Sequence, residues 1–196
     1  MILKVGGSVF DKLSEVLEAL AGRRALIVPG GWRFADLVRE VYSSFSLSED
    51  AAHWMAVLAM NQYGYLISDF GAELIEPEDF DFEYKGVCVI LPYRLLKKYD
   101  ELPHSWSVTS DSIAAWMAHK LGENLVIKVT AAGGIFVNGK LLEVVEASKL
   151  PANDVVDEYL PKLLRNHGID FFVTDVEGLK SYILRGRARG TLIVGR

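Results

Sequence analysis

Ile2-Leu3-Lys4-Val5-Gly6-Gly7-Ser8 decides how this chain is read, and Ala25-Leu26-Ile27-Val28-Pro29-Gly30-Gly31 repeats its pattern 24 residues later. Each is a short apolar run that stops at a pair of glycines. Runs of this kind form strands covered on both faces, as in a parallel sheet. Between the two, Leu13, Val16, Leu17 and Leu20 recur at helical spacing, and Gly22 ends the helix. The unit is strand, glycine turn, helix, strand.

The alternation continues outward. Phe34 to Tyr42 resumes helical spacing, and Ser48 precedes a long amphipathic helix predicted over 49–63, with Glu49 and Asp50 at its positive end. Val87 to Leu91 reads as a buried strand ended by Pro92. Ser110 is the expected cap of a helix from Asp111 to about Leu121, with Gly122 as its stop. Leu125 to Val129 is a strand, and Asn138-Gly139 marks a hairpin turn. A helix over 154–166, a strand over 171–174, a helix over 176–185 and a strand over 191–194 complete the reading. Repeated β–loop–α units imply an α/β fold: a mainly parallel sheet between helical layers, with sites at the carboxyl ends of strands. No repeat or linker divides the chain, so a single domain over 1–196 is expected.

Composition narrows the function classes. The net charge is −5, from 21 Lys and Arg against 26 Asp and Glu, which weighs against nucleic acid and anionic membrane as partners. No apolar run reaches the length of a membrane span; the greasiest stretch, Ala51 to Ile67, is interrupted by His53, Asn61 and Gln62. The single cysteine, Cys88, excludes an internal disulfide and any multi-cysteine metal cage, and no protein metal site is expected. Met1 to Val5 reads as a strand rather than a signal peptide, so a cytoplasmic location is the expectation. The carboxylate-rich stretch 69–83 has no Lys or Arg and reads as a solvated connection. The last 18 residues reverse that balance: Lys180, Arg185, Arg187, Arg189 and Arg196 occur with no acid, as at a helix end or beside a phosphate.

Four features carry chemistry. Lys4 sits on a strand just before Gly6-Gly7-Ser8, where glycines let backbone N–H groups approach an anion closely. The helix beginning nearby would add its positive end. Gly30-Gly31 ends the next strand, so two glycine turns can face one ligand. Either pair alone is compatible with an ordinary strand–helix turn; together they make a phosphate cradle, although neither GxxxxGK[ST] nor GxGxxG is present. Asp111 lies in the first turn of a predicted helix, either as a simple helix-start carboxylate or as an anion between cations. Lys128 lies inside an apolar strand, where an unpaired ammonium costs several kcal/mol, so it is expected either to have an anionic partner or to sit near the strand end beside a bound anion.

Lys4-Val5-Gly6-Gly7-Ser8, Pro29-Gly30-Gly31, Ser110-Asp111-Ser112-Ile113-Ala114 and Gly190-Thr191-Leu192-Ile193, in this order, resemble the amino acid kinase family along nearly the whole chain. The stretch from His53 to Gln62, with Leu102-Pro103-His104-Ser105-Trp106, is similar to the branch that phosphorylates an aminomethylfuran-methyl phosphate in methanofuran biosynthesis. The resemblance implies a three-layer αβα sandwich of the carbamate kinase type and an ATP-dependent phosphotransferase. It implies that Lys4 meets the phosphoryl group in flight, and that Gly6, Gly7, Ser8 and Thr130 hold the nucleotide phosphates. Gly30, Gly31, His53 and Ser110 would face the acceptor. Asp111 would orient Lys4 and Lys128, with Mg2+ carried on the ATP. Where relatives have Asp-Gly after the Lys128 strand, this chain has Gly133-Gly134, so that nucleotide contact differs.

A phosphomonoester acceptor suits a chain with no obvious nucleophile–base pair, because its second pKa of about 6 leaves it a dianion at neutral pH. The alternatives are a nucleoside-monophosphate or isopentenyl phosphate kinase, and a nucleotide- or oxyanion-binding or storage protein without turnover. His53 also reads as a structural histidine, and Trp106 either stacks on an acceptor ring or anchors its loop. Asp36 and Arg39 either pair with each other or reach the acceptor. A homo-oligomer is expected, with the apolar 51–67 helix as a candidate interface.

Overall fold

A computed structural model describes residues 1–195; Arg196, one of the C-terminal cations, lies outside the described residues. The strands are β1 (Ile2–Val5), β2 (Ala25–Pro29), β3 (Glu73–Ile75), β4 (Val87–Ile90), β5 (Leu125–Val129), β6 (Phe136–Val137), β7 (Lys140–Leu141), β8 (Val144–Glu146), β9 (Asp170–Thr174) and β10 (Thr191–Val194). The α-helices are α1 (Leu13–Leu20), α2 (Trp32–Phe45), α3 (Glu49–Asp69), α4 (Tyr93–Tyr99), α5 (Ser110–Lys120), α6 (Leu160–His167) and α7 (Val176–Arg185). Eight strands form one sheet in the order β3-β4-β2-β1-β5-β9-β10-β8, and β6 and β7 form the hairpin turning at Asn138-Gly139. Both turn residues have positive φ (50° and 76°), as a two-residue turn of this type requires. The sheet is parallel except where β10 runs antiparallel to β9.

Side-chain alternation along the strands builds the two cores. Ile2, Leu26, Cys88, Val126 and Phe171 face α5 and α6, whereas Leu3, Ile27, Val89, Ile127 and Phe172 face α1, α3 and α7. Helices thus cover both faces of a mainly parallel sheet, the three-layer arrangement expected. The same alternation places Lys4 and Lys128 with the α5-facing set.

Several expectations need correction. The helix predicted over 154–166 begins only at Leu160, because Asn153 and Asp157 hold the preceding residues in turns by accepting from the amides of Val155, Val156 and Leu160. The acidic connection is not merely solvated. It contains the edge strand β3, and its carboxylates meet α4, with Glu76 and Glu78 on Arg94 and Asp79 on Lys98. Helix α4 itself went unread, since Pro92 looked only like a stop and instead serves as its N-cap residue. Ser110 is not the cap of α5 but its first residue; Thr109 occupies the N-cap, and its side chain makes no capping bond to the amides of the helix. Finally, no α-helix starts at the first glycine pair. A 3-10 turn over Gly7–Lys12 intervenes, broken by the non-helical Val9.

Candidate active site

β1 and β5 are neighbours, and their register sets Lys4 directly beside Lys128. Like charges opposite each other on one face repel. Asp111, delivered by the first turn of α5, lies between them: Oδ1 is 3.0 Å from Lys4 Nζ and Oδ2 accepts a 2.7 Å hydrogen bond from Lys128 Nζ. All three side chains are buried. Lys128 also donates to the Val155 carbonyl. Lys4, although in ionic contact, is not aligned for a hydrogen bond, and Asp111 Oδ1 is a buried oxygen with no hydrogen-bond donor. The arrangement leaves Lys4 with N–H capacity to turn toward a ligand. Burial opposes the Asp111 charge, but the two ammonium groups outweigh it and hold the carboxyl below its ordinary range. Burial and the neighbouring Lys4 charge push Lys128 down to about 8, against the pull of Asp111.

Asp157 supports this cluster and escaped the sequence reading. Its Oδ2 accepts from Thr109 N (3.0 Å), Thr109 Oγ1 (2.9 Å) and Ser112 N (2.9 Å), and its Oδ1 from Ser112 Oγ (2.5 Å) and Leu160 N (2.9 Å). One carboxylate therefore caps both α5 and α6, which fixes the turn that carries Asp111. Burial and the Asp111 charge raise its pKa despite these donors. Its signal in the sequence is an acid three residues before the apolar helical run that begins at Leu160.

The two glycine turns touch. A side chain on Gly30 would lie 3.3 Å from the Val5 carbonyl oxygen and 3.6 Å from Gly7 N; one on Gly7 would lie 2.8 Å from Trp32 Cα. The Gly6 amide is spent on Val129 O and the Gly30 amide on Val5 O, so neither donates to a ligand. Gly7 and Ser8 instead open a helical turn, whose first N–H groups have no carbonyl behind them. Ser8 Oγ lies 3.1 Å from Thr130 Oγ1 and accepts from Ala131 N, tying the first turn to the end of β5. Trp32 is a second residue the sequence reading missed. Its φ of 46° is strained for a side chain of this size, and its ring is stacked between Phe10 (4.4 Å) and Tyr63 (5.7 Å). Replacing Gly7 by alanine is expected to lower stability by about 1–3 kcal/mol, because the methyl group meets Trp32 backbone. A urea midpoint unchanged by that substitution would contradict the packing described.

These groups open into one cavity of about 560 Å³, lined among others by Lys4, Gly7, Ser8, Gly30, Gly31, His53, Ser110, Asp111 and Lys128. Gly6 and Thr130 lie just behind its wall rather than on it. Trp32, Trp106 and Arg33 add flat and cationic surface. Asp36 and Arg39 pair with each other at 3.2 Å, the plainer of their two readings. Lys180 is taken up by Glu15 and Glu177, while Arg187 and Arg189 border a separate hollow beside Phe172 and Tyr182.

No family model matches the chain. The chain is 29% identical over 187 residues to the [5-(aminomethyl)furan-3-yl]methyl phosphate kinase of Methanocaldococcus jannaschii, covering 89% of this chain and 87% of that one. It is 24% identical to the uridylate kinase of Pyrococcus abyssi over 98% of both. In structure it superposes on the uridylate kinase of Archaeoglobus fulgidus with a TM-score of 0.73, covering 98% of each chain at 19% identity. The UMP kinase of Ureaplasma parvum gives 0.70 at 15% identity, covering 98% of this chain and 97% of that one.

In sequence and in fold the chain is similar to kinases of the amino acid kinase family. In this amino acid kinase fold the stretch after β5 departs from the Asp-Gly pattern. Gly133 and Gly134 take φ of 66° and 148°, and a side chain on Gly133 would meet the Asp175 carboxylate at 3.2 Å. Asp175 is already committed, capping α7 through Gly178 N.

Proposed function

We propose that this kinase transfers the terminal phosphoryl group of ATP to the phosphate of a small phosphomonoester, giving a diphosphate and ADP. The observation that carries the reading is the pair of buried lysines, in register on adjacent strands, sharing one carboxylate at the mouth of two touching glycine turns. In a loose phosphoryl-transfer transition state, charge spreads over the equatorial oxygens, so positioning and charge neutralisation do the catalysis. Lys4, between the turns, is placed to follow the phosphoryl group. Lys128, Gly7 and Ser8 hold the donor side, with Gly6 and Thr130 shaping it from behind. Gly30, Gly31, Ser110 and His53 face the acceptor. Asp111 positions both lysines and takes no proton, since its own is held off by them. An acceptor phosphate with a second pKa of about 6 attacks as a dianion, so no general base is required.

Mg2+ bound to ATP would neutralise the β and γ oxygens. Among the described residues no group of three or more His, Cys, Asp and Glu is placed to hold a metal ion. The acceptor proposed is [5-(aminomethyl)furan-3-yl]methyl phosphate, supported by the similarity to the Methanocaldococcus jannaschii kinase. Trp32, Trp106 and His53 offer flat faces to a furan ring, and the exposed Asp154 on the cavity wall makes no ion pair among the described residues and offers a counter-charge to an ammonium group. A homo-oligomer is proposed on the exposed Leu58 and Tyr65 of α3, which share a helix face, and a single monomeric species by sedimentation would contradict it.

A panel of phosphomonoesters with Mg-ATP tests the reading. ADP release is expected with the furan-methyl phosphate and weak or absent release with UMP and isopentenyl phosphate. ATP binding without ADP release for any acceptor would identify a binding protein instead. The pH profile of kcat/KM, which reports on groups of the free enzyme, should also show an alkaline limb near the Lys128 pKa of about 8. Above it the ammonium is lost and the donor phosphates lose a counter-charge. Lys128→Arg should move that limb beyond the accessible range, and an unmoved limb would assign it to another group.

A further inference from the structure

The segment joining α4 to α5 contributes Ser105, Trp106, Val108 and Thr109 to the cavity wall. Its far end is fastened by the Tyr159 amide, which donates to Ser107 O at 3.1 Å. Its near end is tied to α5 by Glu101, which accepts from Trp116 Nε1 and Lys120 Nζ, and to the core by the buried Leu102, and His104 alone ties it to α3 by a hydrogen bond among the described residues. Nδ1 of that ring lies 2.6 Å from Asp50 Oδ1 on α3, and Nε2 lies 2.8 Å from Asp100 Oδ1 at the end of α4. The ring also stacks on His53 at 4.1 Å and meets Trp54 edge-on at 5.0 Å.

We infer that His104 is a positioning residue for the acceptor: as an imidazolium bridging Asp50 and Asp100, it clamps the Ser105–Thr109 wall and the His53 ring into the geometry the acceptor meets. The inference rests on the phosphomonoester kinase reading above and adds to it a residue outside the glycine turns. An ionised carboxylate only accepts hydrogen bonds, so two of them on both ring nitrogens require both to carry protons. Neutral His104 can keep one of the two bonds, and the clamp then releases either α3 or α4. The groups facing the ring are Asp50 and His53 from α3, and Asp100 and Lys97 from α4, where Lys97 sits 4.1 Å over Trp54. Burial opposes the His104 charge, but the two carboxylates outweigh it and raise its pKa. Burial and the His104 charge push His53 down to about 4, so the ring presented to the cavity is neutral.

The test combines two readouts on the full chain. Amide protection over 105–108, the exchange rate taken relative to the intrinsic rate at the same pH, is expected to fall by about tenfold in His104→Ala, and in the wild type on going from about pH 6 to about pH 8.5. His104→Arg, whose fork can bridge both carboxylates at either pH, should restore the protection and remove its pH dependence. In kinetics with [5-(aminomethyl)furan-3-yl]methyl phosphate, His104→Ala should raise the acceptor KM by about tenfold and leave the nucleotide KM within about twofold. Equal exchange in wild type and His104→Ala, or acceptor and nucleotide KM rising together, would overturn the inference. A wild type inactive on every phosphomonoester would contradict the proposed function, and the exchange data alone would then decide the clamp.

Discussion

Lys4→Met is expected to lower kcat by at least about 10²-fold while leaving the protein as stable as before or more so. The rate loss follows from removing a preorganised cation from the path of the phosphoryl group, an interaction made most strongly in the transition state. The stability expectation follows from the cluster's charge. Lys4 and Lys128 are buried side by side, one carboxylate serves both, and Asp111 Oδ1 receives no hydrogen bond from Lys4. Exchanging one of two buried like charges for an apolar side chain of similar length removes repulsion and desolvation cost together. Steady-state kinetics and urea unfolding on the same preparation check this. A variant equally active, or one that loses activity only because it unfolds, would remove Lys4 from the chemistry.

Asp111→Asn should do the opposite to the fold. Without the carboxylate, two buried ammonium groups face each other uncompensated, and breaking a buried pair in this way costs about 3–5 kcal/mol. Turnover should slow as well, with a smaller effect on nucleotide affinity, because the lysines remain but lose their aim. The pH dependence separates this from simple cavity effects. Lys128 has a folded pKa of about 8, below its unfolded value of about 10.4. Between those values the unfolded chain binds more protons, so this group makes stability rise with pH across that window, even as activity falls. In Asp111→Asn the folded value drops further, so the rise starts at lower pH and is larger. A urea midpoint for the variant that does not recover between about pH 7 and about pH 9 would contradict the electrostatic account.

The layers and the site cluster were legible because they depend on short patterns. Apolar runs ending in glycine pairs gave β1 and β2 to within a residue, and both lysines were expected at strand ends facing one crevice, whereas the register that sets Lys4 beside Lys128 is a property of the assembled sheet. A lysine inside Leu125–Val129 demanded an anion beside it on energetic grounds, and Asp111 supplies one. What escaped depends on distant contacts. Asp157 caps α5 from 45 residues away, which no local pattern around Ser110 could reveal. The edge strand β3 is three residues long in an acidic stretch, and its pairing is set by β4 rather than by its own composition. Trp32 lies in the left-handed region because Phe10 and Tyr63 clasp its ring, a tertiary effect overriding local preference. His104 looked like one more loop residue until α3 and α4 supplied its two carboxylates.

The central claim is chemical, and phosphorus-31 NMR of one reaction tests it. Wild-type protein, Mg-ATP and [5-(aminomethyl)furan-3-yl]methyl phosphate should convert the acceptor's single phosphate resonance into the coupled pair of a diphosphate, with ADP appearing in equal amount, and Lys4→Met should give neither. Persistence of the monophosphate signal with folded, ATP-binding wild-type protein and every phosphomonoester tried, or the same conversion by Lys4→Met, would contradict phosphoryl transfer at this crevice.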